Sequence, residues 1–156
     1  MNLLLFLLFL AATAAAGATG VMFKPGPWYE ALLKPDWTPP KWAFPVAWTT
    51  LYILMAFAAS RVAPLPGAGL ALALFALQIT LNTLWTPTFF GAHLIGLGAG
   101  IILLLWVAVA AMMVQFWRLD AWAGLMILPY LGWLTVAASL NLWIWRNNPA
   151  LSAPWR

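Results

Sequence analysis

Leu94-Ile-Gly-Leu-Gly-Ala-Gly-Ile-Ile-Leu-Leu-Leu-Trp-Val-Ala-Val-Ala-Ala-Met-Met-Val-Gln-Phe-Trp117 contains no charged residue, and its reading decides the fold. About 20 mainly apolar residues in a helix cross roughly 30 Å of hydrocarbon, so this stretch is long enough to span a bilayer. Working outward, uncharged stretches of similar length predict further spans near 3–23, 43–63, 68–90 and 121–145. Every Lys, Arg, Asp and Glu falls at or outside a span end. The whole chain of 156 residues is 65% hydrophobic and 6% charged, too few polar groups to cover a globular surface in water. The expectation is an all-α membrane protein, a five-transmembrane-helix bundle filling 1–156 as a single domain, with lipid as its main solvent.

The same inventory excludes several chemistries. With no cysteine there are no disulfides, thiolate metal sites or cysteine nucleophiles. The net charge of +4 comes from Lys and Arg placed singly at span ends, so no patch exists for nucleic-acid phosphates. No charge lies mid-membrane, which argues against a proton relay, voltage sensor or ion pump. Ser and Thr have no His or Asp beside them for triad-type catalysis. Leu3 to Leu10 followed by Ala14-Ala15-Ala16 resembles a signal-peptide core, but no basic segment precedes it and the apolar run continues to Phe23; it reads as a retained first helix.

Half of the twelve prolines fall between Pro25 and Pro45. Pro25, Pro27, Pro35, Pro39 and Pro40 fix φ and withhold donors, so the segment Lys24 to Lys41 is expected to be an ordered, largely extended lid with one helical turn at Trp28–Leu32. Its Trp28, Tyr29 and Trp37 suit a segment packed on the bundle or the headgroups rather than a solvated linker. The other breaks, at Pro64–Gly67, Gly91–His93 and Arg118–Asp120, are short, so successive helices run antiparallel. Lys24, Lys34, Lys41, Arg146 and Arg156 then share one side, against Arg61 and Arg118 opposite. In a plasma-type membrane this puts the N-terminus out and the C-terminus in.

Three spans carry a face that mixes aromatics with uncharged polar groups. Pro45, Trp48 and Tyr52 share one on the second span. Gln78, Asn82, Trp85 and Phe89 share one on the third. Tyr130, Trp133, Ala137 and Asn141 follow Pro129 on the fifth. Helix-to-helix bonding accounts for either amide of the third span taken alone. Together the three faces describe an apolar pocket with sparse orienting hydrogen bonds. Trp28, Trp37, Trp42, Trp117, Trp122, Trp143, Trp145 and Trp155 lie near span ends and fit an interfacial belt; Trp48, Trp85, Trp106 and Trp133 lie deeper and need another reason. His93, the only histidine, reads as structural or solvated rather than as an axial haem ligand. Gly96-x-x-x-Gly100 permits close helix approach, within the chain or between copies.

The spacing Trp28-Tyr29-x-x-Leu32-x-Lys34-Pro35-x-Trp37-x-Pro39-Pro40 resembles the signature of the TspO/MBR family, the tryptophan-rich sensory and translocator proteins. Pro45-x-x-Trp48-x-x-Leu51-Tyr52, Gln78-x-x-x-Asn82-x-x-Trp85-x-x-x-Phe89-Phe90 and Pro129-Tyr130-x-x-Trp133 with Leu140-Asn141 extend the resemblance over almost the whole chain. It implies a five-helix bundle, often a homodimer, that binds porphyrins such as protoporphyrin IX, sterol-like lipids and benzodiazepine-type ligands under the first loop. By motif position the pocket would use Tyr29, Trp37, Trp48, Asn82, Trp85, Phe89, Phe90, Tyr130, Trp133 and Ala137. It further implies Trp48 and Trp133 as candidates for light-dependent porphyrin breakdown. The family's sterol motif wants a tyrosine where Leu140–Arg146 offers only tryptophans. Porphyrin propionates are expected to reach Lys24, Lys34 or Lys41. The porphyrin is here a ligand, and no cofactor or metal is required. Three functions follow: a tetrapyrrole-binding protein acting in transport, sensing or regulation; a photo-oxidative porphyrin-degrading enzyme; or a structural or signalling partner of another membrane protein.

Overall fold

The computed structural model describes residues 2–149, so Trp155 and Arg156, counted above for the belt and the charge balance, lie outside the described residues. Six α-helices form: α1 Leu3–Met22, α2 Pro27–Ala31, α3 Ala43–Val62, α4 Gly69–Thr86, α5 Ile95–Leu119 and α6 Ala121–Asn147. All but α2 are long and apolar enough to cross a membrane, α4 together with the turn that follows it. The expected spans are therefore observed to within about two residues, with one exception at the end of the third.

There the α-helix stops at Thr86 and a π-helical turn, Pro87–Gly91, continues the span. Pro87 has no N–H to give to the carbonyl four residues back, so the regular ladder cannot pass through it. The turn closes instead through Ala92 N–H to the Pro87 carbonyl, 2.8 Å, and Leu94 N–H to the Thr88 carbonyl, 3.0 Å. An extra residue per turn rotates the side chains beyond Pro87 relative to the face set by Gln78 and Asn82.

The spans close into a ring whose neighbours are α1, α3, α6, α5, α4 and α1 again, with the α5–α6 hairpin the most extensive pairing. Small residues allow the approach. A Cβ on Gly17 of α1 would stand 2.7 Å from the Tyr52 ring of α3, and one on Gly124 of α6 would stand 2.6 Å from Cα of Trp117. Asp120 starts α6 by accepting from the N–H groups of Trp122 and Ala123, while its other oxygen pairs with Arg61 Nε at 2.7 Å, tying this turn to α3. Gly67, at φ 80°, makes the tight turn between α3 and α4.

Met55, Ala59, Val62, Val109, Met112, Phe116, Ile127 and Leu134 fill the ring with essentially no exposure, whereas Leu4, Leu8, Leu70, Leu104 and Val107 point outward. Exposed leucines in a chain of this composition face hydrocarbon, which is where a membrane span places them.

Candidate functional site

The first loop is folded, as its prolines required. Pro27 opens α2 with φ already helical, and the short helix ends at Leu32, whose buried side chain packs with Phe89, Ile95, Leu140 and Ile144. The Lys34 ammonium then donates to three carbonyls, those of Tyr29 (2.6 Å), Leu32 (2.9 Å) and Glu30 (3.2 Å), and sits 4.8 Å from the centre of the Tyr29 ring. An ammonium has three hydrogens, so the loop's own backbone uses all of them.

Asn148, just past α6, latches the loop. Leu33 N–H donates to its Oδ1 at 2.9 Å, and its Nδ2 donates back to the Leu33 carbonyl at 3.1 Å. This bond pair also places the first loop and the end of α6 at one end of the bundle, as the antiparallel reading requires.

Beneath the loop lies a layer of aromatic rings. Trp85 and Phe89 stack at 5.1 Å and 14°, Phe90 meets both edge-on at 5.6 and 5.0 Å, and Tyr29 reaches down to Phe90 at 5.3 Å. Consecutive Phe89 and Phe90 both join the cluster from within the π turn. Gly98 of α5 makes room, since a Cβ there would stand 3.1 Å from the Phe89 ring. Trp28 touches Phe89 at 5.8 Å and stacks on His93 at 4.1 Å and 13°. His93 adopts φ 59° where the π turn hands over to α5, and its stacked, exposed ring accords with the structural reading.

Deeper in the ring the polar groups converge. Asn82 Nδ2 donates to the Tyr130 hydroxyl at 3.1 Å, and that hydroxyl donates to Gln78 Oε1 at 3.1 Å, all three residues being buried. Trp48 lies 6.0 Å from Tyr130 and 5.5 Å from Tyr52, ring centre to ring centre. Trp133 meets Phe44 at 5.5 Å, and Ala137 packs against the central core nearby. Trp133 also borders an open apolar groove of about 400 Å³ between α3 and α6, beside Ala47, Thr50 and Gly132. Trp106 receives a separate explanation, an indole N–H bond to Thr135 Oγ1 at 2.9 Å that joins α5 to α6.

The structure thus brings Tyr29, Trp85, Phe89 and Phe90 into one layer and Trp48, Asn82 and Tyr130 into the layer below, with Trp133 and Ala137 on the adjoining wall. It leaves Trp37 about half exposed on the loop, outside both layers. Lys24 and Lys41 are exposed, and Lys41 pairs with Glu30 at 2.6 Å. That bond, then the charge of Lys41, holds the Glu30 carboxyl below its usual range, while burial, then the charge of Glu30, raises the Tyr29 phenol above its own.

Five buried side-chain atoms have no hydrogen-bond partner among the described residues: Gln78 Nε2, Trp85 Nε1, Trp133 Nε1 and both amide atoms of Asn141. Trp28, Phe44, Gln78 and Asn141 were absent from the sequence-derived site. Gln78 and Asn141 were visible there on the right helix faces, but a face does not say which amides find partners. No cluster of three His, Asp or Glu side chains able to hold a metal occurs among the described residues.

The chain is similar over most of its length to known proteins. The model of the TspO/MBR family matches residues 5–146. The chain is 52% identical over 153 residues to protein CrtK of Rhodobacter capsulatus, covering 96% of each chain. It is 50% identical over 148 residues to a tryptophan-rich sensory protein of Cereibacter sphaeroides, covering 95% of this chain and 94% of that one. To the human translocator protein it is 36% identical over 126 residues, covering 78% of this chain and 75% of the other.

Proposed function

Since this chain belongs to the TspO/MBR family and is an integral membrane protein with five spans, we propose that it binds tetrapyrroles such as protoporphyrin IX, in a pocket reached beneath the first loop, in the service of their transport, sensing or regulation. The observation that carries this reading is the Trp85–Phe89–Phe90–Tyr29 layer lying directly over the uncharged Asn82–Tyr130–Gln78 chain. Large flat rings gain dispersion and quadrupole contacts on such a wall, and neutral hydrogen-bonding groups orient a ligand without the cost of a buried charge. Of the three lysines expected to meet propionates, Lys24 is exposed, Lys41 is exposed and paired with Glu30, and Lys34 is committed to the loop backbone.

Titration with protoporphyrin IX in the dark, following tryptophan fluorescence, tests the reading. Saturable quenching at micromolar or lower ligand that weakens in Trp48→Phe/Trp133→Phe is the expected result, and no saturable quenching by the wild type rejects it. The aromatic contacts of Trp48 with Tyr52 and Tyr130 favour a second reading, light-dependent porphyrin breakdown, because neighbouring phenols can re-reduce an oxidised indole. Light-driven bleaching that persists in the same double variant excludes it.

The orientation we propose for a plasma-type membrane has the N-terminus on the outer side and the first loop and the C-terminus on the inner side.

A further inference from the structure

Gln78 and Asn82 are buried, and each finds a partner in the Tyr130 hydroxyl, Gln78 through its Oε1 and Asn82 through its Nδ2, so helix-to-helix bonding explains both although Gln78 Nε2 is left without a partner. Asn141 is different. It is 2% exposed, and neither its Nδ2 nor its Oδ1 has a partner among the described residues. An amide left unpaired in a membrane interior is costly, and a residue kept only for packing would be served better by leucine.

Its neighbours along α6 pack in an aromatic cluster. Leu140 and Ile144, on either side of it, pack with Phe89 and Ile95 in the cluster that also holds Trp85. The Trp85 indole nitrogen, likewise unpartnered, lies 3.7 Å from where a Cβ of Gly98 would stand. At a rise of 1.5 Å per residue, Asn141 sits about 10 Å below the Asn148 latch, well under the lysines of the loop. Of the five unpartnered buried atoms in the bundle, four carry hydrogens and only Asn141 Oδ1 accepts. The interior therefore offers a surplus of neutral donors with no cation among them.

We propose that Asn141, with the likewise unpartnered Trp85 indole as a second donor, is a recognition point for an oxygen acceptor on the ligand: a carbonyl, ester or carboxyl oxygen carried down into the aromatic layer. This rests on the tetrapyrrole reading of the pocket and deepens it. It assigns the ligand's oxygen atoms to buried neutral donors rather than to the loop lysines, so a neutral ester is accepted as well as a free acid. A lysine seat favours the acid alone.

Three porphyrins separate these cases in lipid nanodiscs: protoporphyrin IX, its dimethyl ester and etioporphyrin, which has no oxygen. Asn141→Leu is expected to weaken the acid and the ester alike, roughly five- to twentyfold, and to leave etioporphyrin unchanged. The melting temperature of the unliganded variant should equal or exceed that of the wild type, because the substitution removes an unpaired amide. Lys24→Gln/Lys41→Gln should spare the acid and the ester alike, and a loss confined to the acid would return the ligand's oxygens to the lysines. Equal losses for all three porphyrins in Asn141→Leu, or no loss for any, overturn the assignment of Asn141 alone. No binding of any porphyrin to the wild type overturns the pocket reading and this assignment with it.

Discussion

Replacing Asn148 with alanine is expected to unlatch the first loop while the five spans stay in place. Leu33 exchanges two hydrogen bonds with this side chain, at 2.9 and 3.1 Å. At about 1 kcal/mol net for each, their loss lowers the free energy of loop opening by roughly 2 kcal/mol. That multiplies the open population by about thirtyfold. Leu32 stays as the second anchor, its buried side chain contributing about 2 kcal/mol, so the loop opens more often without being released. The third bond of Asn148, to the Ile144 carbonyl at 2.9 Å, caps the last turn of α6, and its loss is felt as fraying there. Hydrogen exchange read by mass spectrometry in nanodiscs separates these effects. Amides of 27–38 should lose protection by at least an order of magnitude, and amides in the middle of α5 should keep theirs. Loop protection equal to the wild type, or a loss of the same size in α5, would refute the latch.

Three further expectations concern stability. Gly124→Ala drives a methyl to within 2.6–2.8 Å of the Trp117 backbone, which cannot rotate away, and should destabilise the α5–α6 hairpin by roughly 1–3 kcal/mol or more, seen as a lower melting temperature in detergent. Asp120→Ala removes the cap of α6 and leaves Arg61 unpaired, for a loss of about 1–2 kcal/mol; Asp120→Asn, which can keep the cap, should lose less, and equal losses would mean that the cap contributes nothing. The Glu30 carboxyl, held below its usual range by Lys41, supports the loop above the unfolded-state pKa of glutamate, and that support fades as pH falls through the lowered folded value. Loop exchange, corrected for intrinsic rates, should therefore be flat from about pH 5 to 8 and rise only in stronger acid. A rise within that flat window would assign the pH dependence to another group.

Much of the site was legible because membrane spans obey simple periodicity. The faces carrying Trp48, Asn82, Trp85, Tyr130 and Trp133 follow from helical spacing once the spans are known, and the loop's order follows from its prolines. Phe90 was reached only through the family spacing. On a regular helix it lies about 100° from Phe89, so helix spacing alone did not assign it to the face of Asn82 and Trp85, although its ring meets Phe89 at 5.0 Å within the π turn. Trp37 was placed in the pocket by the same motif, yet its ring stays exposed on the loop. Lys34 read as an anion contact because charge is visible in a sequence, whereas the three carbonyls that occupy it come from a local turn that is not.

By itself, then, the sequence determined the lipid solvent, the number and bounds of the spans, the antiparallel order and which residues share each helix face, since length, charge and the 3.6-residue period act within one element. Tertiary structure alone decided the ring order α1–α3–α6–α5–α4, the Asn148 latch, and the fact that Asn82 Nδ2 and Gln78 Oε1 meet the Tyr130 hydroxyl while neither amide atom of Asn141 finds a partner. The reason is that whether a buried polar atom is satisfied depends on a donor or acceptor from another helix within about 3 Å, a quantity set by how the helices pack and not by the spacing along any one of them.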